Sequence, residues 1–281
     1  MEEGAPYLCG GHIAHWAEWT GEEYFLSWSP STGVSTPEGY LQLRRYFTAW
    51  ADIIRQNGWE GKMTQALADE PQEGNARTYR ILAAICRKFL PGVPILDAVE
   101  TTNLGGGIDI WVPKQDTFEK KKDTFRLLQD AGEEIWFYTC AFPAGNIMNR
   151  SMDLPLTVSR LLLWMGASCR LTGFLHWGFN YYIGDDIWNR ACCLIKARCC
   201  LPVTPISSIP APTAPGSACA MKHSGEARRI MNFFSQILLK NPAAADSILS
   251  MACTDFRTYT ADPSLLAQAR HRLLEEADRL S

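Results

Sequence analysis

The chain contains no apolar run near the 18 or so residues that a membrane-spanning helix needs, so no membrane partner is expected. It has no excess of basic charge either. Against 30 Asp and Glu stand 27 Lys and Arg, for a net charge of −3, which gives no electrostatic footprint for nucleic acid. The opening stretch, Met1-Glu-Glu-Gly-Ala-Pro6, has neither a basic region nor an apolar segment, so no signal peptide is read in this chain. Ten cysteines among 281 residues do not make a disulfide scaffold, and the vicinal pairs Cys192–Cys193 and Cys199–Cys200 bridge only with strain. Free thiols are expected. Cys9, His12 and His15 lie close together but fall short of a ligand set, and no second cluster follows, so no metal is expected. No glycine fingerprint opens a strand-to-helix turn, which argues against a dinucleotide fold, and the Gly105–Gly107 triplet reads as a flexible connection. No organic cofactor is implied.

What is present is apolar and aromatic. With 47% hydrophobic residues the chain can bury a sizeable core, as one large domain or two small ones. Ten Trp and nine Tyr suit either core packing or stacking on the C–H faces of sugars. Residues 1–36 read as loop-rich, with a strand near Tyr24–Trp28. Helical spacing runs from Pro37 to Asn57, punctuated by Pro37 and Gly58. Short apolar strands are expected at Pro94–Glu100, Ile108–Pro113, Glu134–Cys140 and Leu171–Gly178. Helices are expected at Asn75–Leu90, Thr117–Ala131 and Leu156–Cys169, and two more after Pro242. Buried strands alternating with helices imply parallel α/β architecture.

The organising stretch is Met63-Thr-Gln-Ala-Leu-Ala-Asp-Glu-Pro71, an apolar strand that ends in two adjacent carboxylates. Pro71 cannot donate to a ladder and should stop the strand. Asp69 and Glu70 then sit at its carboxyl end, where α/β barrels carry their chemistry. The same tripeptide also suits a helix-entry turn with acidic residues near the helix N-terminus.

Three strand-end motifs occur in register: Ala68-Asp-Glu-Pro71, Trp136-Phe-Tyr-Thr-Cys140 and Gly173-Phe-Leu-His-Trp-Gly-Phe-Asn180. Together they resemble the catalytic domain of glycoside hydrolase family 123, also catalogued as domain of unknown function 4091. The resemblance runs from about Tyr40 to Trp188 and again from about Phe233 to the end. It implies a (β/α)₈ TIM-barrel-like fold and β-N-acetylgalactosaminidase chemistry on a carbohydrate substrate. The substrate's own 2-acetamido group would serve as nucleophile, an exception to double displacement through two carboxylates. Glu70 would be general acid and then general base, and Asp69 would orient the acetamido N–H. Tyr138, Trp177, Asn180 and, more loosely, Trp111 would contact the sugar, although each aromatic also suits the core. An inverting enzyme with a distant second carboxylate, Glu100 or Asp109, is an alternative. So is an inactive or merely sugar-binding remnant.

Two departures from the family stand out. The first strands of a barrel have no counterpart, so residues 1–198 read as an incomplete barrel from the C-terminal part of a longer protein. Little turnover is expected from such a fragment, and a missing N-terminus leaves the compartment open, secreted or periplasmic parents included. Residues 199–232 are Pro-rich and irregular. Back-translated and read in a shifted frame, they yield a peptide with the YPG and RRGAEDYE elements normal to the family. A pair of compensating frameshifts and a true linker are the two readings. Residues 233–281 are expected to be C-terminal helices packing on the barrel.

Overall fold

The protein is described here by a computed structural model that covers residues 8–140, 143, 145–150, 154–176, 230 and 232–280. The chain forms two compact units, Met1–Tyr138 and Thr139–Ser281. The expected boundary at 198 lies outside the described residues, as does the 199–232 segment except for residues 230 and 232.

The first unit is built on parallel strands. β1 (Leu8–Gly10) is followed by a small antiparallel sheet of β2 (Ala14–Trp16), β3 (Tyr24–Leu26) and β4 (Ser29–Gly33). Helix α1 (Pro37–Gln56) comes next. Its Thr36 hydroxyl accepts from the Gly39 N–H and Pro37 opens the first turn, both ordinary start signals. Gly39 is required by packing, because a Cβ there would meet the Gly33 carbonyl oxygen at 2.2 Å. β5 (Met63–Gln65) runs parallel to β1, pairing Leu8 with Met63 and Gly10 with Gln65. The Gln65 side chain crosses over Gly10, where a Cβ would come within 2.4 Å of its Oε1.

Helix α2 (Ala76–Phe89) buries Tyr79, Leu82, Ala83, Ile85 and Cys86, the stripe that its spacing predicts. Each large apolar side chain removed from water in this way contributes about 1.5–3 kcal/mol. β6 (Leu96–Val99), β7 (Ile110–Pro113) and β8 (Glu134–Tyr138) continue the parallel arrangement, and a bridge between Gln65 and Ile95 joins β5 to β6. The order is therefore β1-β5-β6-β7-β8, with all five strands pointing the same way. The fold class is mixed α/β with parallel strands, as the alternation of elements implied.

The helix expected over Thr117–Ala131 is two helices, α3 (Gln115–Lys120) and α4 (Lys122–Asp130), interrupted at Lys121. In one straight helix Phe118 and Phe125 would stand about two turns apart, roughly 10 Å along the axis. The break lets these fully buried rings stack with centroids 5.7 Å apart. It also turns Lys121 so that its Nζ donates to the Glu100 carbonyl at 3.0 Å. Tertiary packing overrides periodicity here.

In the second unit, α5 (Leu156–Ser168) buries Val158, Leu161, Leu162, Trp164 and Met165, and a short strand, β9 (Gly173–Leu175), follows. Two later helices, Pro242–Ser250 and Pro263–Leu280, occupy the expected tail. Residues 232–240 are helical as well, and Phe234 packs against Trp164 with ring centroids 6.5 Å apart. Among the described residues, no helix is long and apolar enough to cross a membrane.

Candidate active site

Beyond Gln65 the β5 chain stays extended through Ala68, which bridges to Ala14, and then turns at Asp69-Glu70-Pro71. The acid pair therefore sits at the carboxyl end of a parallel strand, and the plain helix-entry turn is displaced by five residues, with α2 starting only at Ala76. Glu70 adopts φ +43°, a left-handed conformation that a non-glycine residue holds at a cost of about 1–3 kcal/mol. Neighbouring bonds maintain it. Gln72 Nε2 donates to the Glu70 carbonyl at 3.1 Å, and the Glu100 N–H donates to the Pro71 carbonyl at 3.2 Å. Buried Asn75 closes the turn, its Oδ1 accepting from the Gln72 N–H at 2.7 Å and from the Tyr24 hydroxyl at 2.9 Å.

Each neighbouring strand delivers one functional group to the same end. Glu100 follows β6, Lys114 follows β7, and Tyr138 closes β8 opposite Lys114. The Tyr138 hydroxyl donates to Glu70 Oε1 and lies 3.4 Å from Glu100 Oε1. Glu100 is neutralised by an ion pair with Lys114 and also accepts from the Thr117 hydroxyl. Asp69, by contrast, is exposed and its carboxylate has no ion pair or hydrogen bond among the described residues.

These contacts set the proton affinities. Glu70 is half-buried, and that burial raises its carboxyl above the usual range; the charges of Asp69 and Glu100 push the same way, while the Tyr138 hydrogen bond and Lys114 oppose it. Burial also raises the Tyr138 phenol, reinforced by the charge of Glu70, so it acts as a hydrogen-bond donor. For Lys114 burial favours the neutral amine, but contact with Glu100 outweighs it and holds the ammonium charge. The result is one carboxyl poised to carry a proton beside another that faces solvent, the division that general-acid chemistry with electrostatic support requires.

One consequence is measurable. The Tyr138 hydroxyl favours the ionised form of Glu70, so Tyr138→Phe should move the alkaline limb of the kcat/KM profile to higher pH. An unmoved or lowered limb would dissociate Tyr138 from the proton donor.

The other sequence candidates fall in different places. Trp111, in β7, is 1% exposed and donates its indole N–H to Glu133 Oε2 at 2.9 Å, near the amino ends of the strands and away from the acid pair. Asp109 also lies at that opposite end, held by Arg87 and the Ile95 N–H. Glu100 is brought to the acid pair, but one phenolic hydroxyl spans it and Glu70. That is closer than the roughly 6.5–9.5 Å an inverting pair needs for its water. Trp177 and Asn180 lie outside the described residues.

Sequence reasoning missed Lys114, weighed Glu100 only as a distant partner, and missed Asp97. The available signal was positional: Lys114 directly follows an apolar strand, as Asp69 does, and Asp97 interrupts a buried apolar run. Among the described residues no group of three or more His, Cys, Asp or Glu could hold a metal ion.

The chain is similar to a solved structure of a family 123 glycoside hydrolase from Clostridium perfringens, studied for glycolipid glycan hydrolysis. The TM-score is 0.51 at 15% sequence identity, over 87% of this chain and 44% of that one, so the chain spans less than half the length of that protein. At such identity the likeness speaks for the fold. Among curated proteins no sequence matches. The family model described as glycoside hydrolase 123, catalytic domain, matches residues 10–194, reaching back beyond Tyr40 to the last residue of β1 and the strands that follow it. The chain thus belongs to the glycoside hydrolase 123 family, through its catalytic domain.

Proposed function

We propose that this chain hydrolyses a terminal β-linked N-acetylhexosamine, with N-acetylgalactosamine as the first candidate, by a substrate-assisted retaining mechanism on a (β/α)₈ barrel. The observation that carries the reading is the pairing of a half-buried Glu70, whose carboxyl burial raises above the usual range, with an exposed Asp69 that has no ion pair or hydrogen bond among the described residues, on consecutive residues of one strand end. The strained backbone at Glu70 adds support, because such conformations persist mainly where function requires them.

In the first step the acetamido carbonyl oxygen of the substrate attacks its own C1. The glycosidic C–O bond breaks, and Glu70 gives its proton to the departing oxygen. Asp69 accepts a hydrogen bond from the acetamido N–H and opposes the positive charge that develops on the oxazolinium ring. In the second step Glu70, now ionised, takes a proton from water as that water attacks C1. The C1–O bond to the acetamido oxygen breaks, restoring the acetamido group with net retention. Tyr138 holds Glu70 in the required orientation, and Trp177 and Asn180 are the proposed sugar contacts.

Incubation with 4-nitrophenyl N-acetyl-β-D-galactosaminide at high enzyme concentration, followed by proton NMR, tests this. Release is expected to exceed that from the corresponding glucosaminide, with the β anomer appearing first. An α anomer appearing first would overturn the mechanism. Saccharide binding without hydrolysis would overturn the enzymatic reading in favour of a sugar-binding remnant.

A further inference from the structure

His12 stands at the carboxyl end of β1, beside the acid-bearing strand, and the glycosidase reading as given assigns it no role. The next two residues, Ile13 and Ala14, both donate their N–H groups to the Leu67 carbonyl at 3.0 Å, and Ala14 bridges to Ala68. The segment is thus fixed against the chain immediately before Asp69. Its imidazole Nε2 lies 3.2 Å from Oδ1 of Asp97, a side chain with no exposure, while the His12 side chain itself is 42% exposed.

Asp97 is an unusual residue for the middle of a buried strand. Its Oδ2 accepts from the Tyr79 hydroxyl at 2.6 Å, from the Leu67 N–H at 2.8 Å and from the Ala68 N–H at 3.4 Å. One carboxylate oxygen therefore anchors the last two peptide groups before Asp69. Its other oxygen has no hydrogen bond of good geometry, and His12 is the group that faces it. A purely structural aspartate would be satisfied through Oδ2 alone, and leaving Oδ1 buried without a partner is costly. The Oδ1–imidazole pair explains the arrangement, since a carboxylate behind a ring nitrogen fixes the orientation of the ring. With Nε2 turned to Asp97, Nδ1 is left to the open side and has no protein partner among the described residues.

We propose, building on the glycosidase reading, that His12 is a substrate-contacting residue whose Nδ1 hydrogen-bonds the sugar held by Asp69 and Glu70, and that Asp97 is the positioning residue that aims it. Electrostatics agree. Burial favours the neutral ring, but Asp97 and then Asp69 outweigh it, so the ring holds its proton more tightly than an ordinary imidazole, and in the protonated ring Nδ1 is a donor. Asp97 itself is raised by burial, against the opposing effects of His12, Tyr79 and the Leu67 N–H.

The test separates this proposal from the one beneath it. The probe is methyl N-acetyl-β-D-galactosaminide, titrated by ligand-observed NMR into the full chain carrying Glu70→Gln, which binds without turnover. Adding His12→Ala is expected to weaken binding about tenfold or more, the effect of losing one hydrogen bond to a charged donor, measured at a temperature where the variant remains folded. His12→Gln, which keeps a donor, should recover part of the affinity. Unchanged affinity in both His12 variants would overturn the proposal. Failure of the Glu70→Gln chain to bind the probe at all is a different result, which brings down the glycosidase reading and this inference with it. Asp97→Asn is expected to reproduce the loss of affinity. Should it unfold the chain, the two His12 variants still decide.

Discussion

Glu70→Gln is expected to lower kcat by about 10²–10⁴-fold, the usual contribution of a positioned proton donor, while KM stays near its original value. The amide keeps the length of the side chain, and its carbonyl oxygen can still accept the Tyr138 hydroxyl, so the site should hold its shape. What disappears is the proton. That loss has a signature beyond its size, because a departing group of low basicity needs little protonation. The defect in the first step should therefore be large for an alkyl glycoside and much smaller for a 2,4-dinitrophenyl glycoside. Equal losses on both substrates would remove Glu70 from the role of general acid. The raised proton affinity of Glu70 gives the same assignment a pH axis: activity should persist above the ordinary carboxyl range and fall as Glu70 ionises.

Asp69→Asn should cost about 10²–10³-fold in kcat, comparable to removing one preorganised electrostatic contact to a charged intermediate. The substitution is nearly isosteric and the side chain is exposed without an ion pair among the described residues, so stability should change by no more than about 0.5 kcal/mol. A large loss of activity at constant Tm would place the residue in the chemistry. The distinguishing measurement is a substrate series with increasingly electron-poor N-acyl groups. If Asp69 supports an acetamido nucleophile, the rate falls steeply along the series in the original chain and less steeply in the variant. Parallel slopes would separate Asp69 from that group.

Much of this architecture could be read locally. Proline and glycine punctuation marked the limits of α1 within one residue, the apolar stripe marked α2, and apolar runs marked β5 to β9, although each expected strand was longer than the observed one. Side-chain periodicity reports burial over a few residues, and strand ends carry apolar residues that pack without pairing. The same limitation hid the interruption at Lys121, where two phenylalanines seven positions apart are drawn together by the core. It also hid β2 and β4, the antiparallel partners of the strand expected near Tyr24–Trp28, since strands of three to five residues are too short for a period to register.

The acid pair could be located from sequence because an apolar run ending in two carboxylates and a proline is a local pattern, and the family could be recognised because its motifs are short and ordered. The contacts made by the pair and its neighbours could not. Tyr138 meets Glu70 across 68 residues of chain, Lys114 meets Glu100 through the register of parallel strands, and His12 meets Asp97 from a strand that opens the sheet. A parallel ladder joins distant segments by crossover connections that leave no mark on either strand alone. Proton affinities follow the same rule, since they depend on burial and on neighbouring charges rather than on residue type. By itself the sequence determined which carboxylates stand at a strand end; only the folded sheet decided that Glu70 holds its proton more tightly than an ordinary carboxyl, because only the sheet brings desolvation, a phenol and neighbouring charges to bear on it.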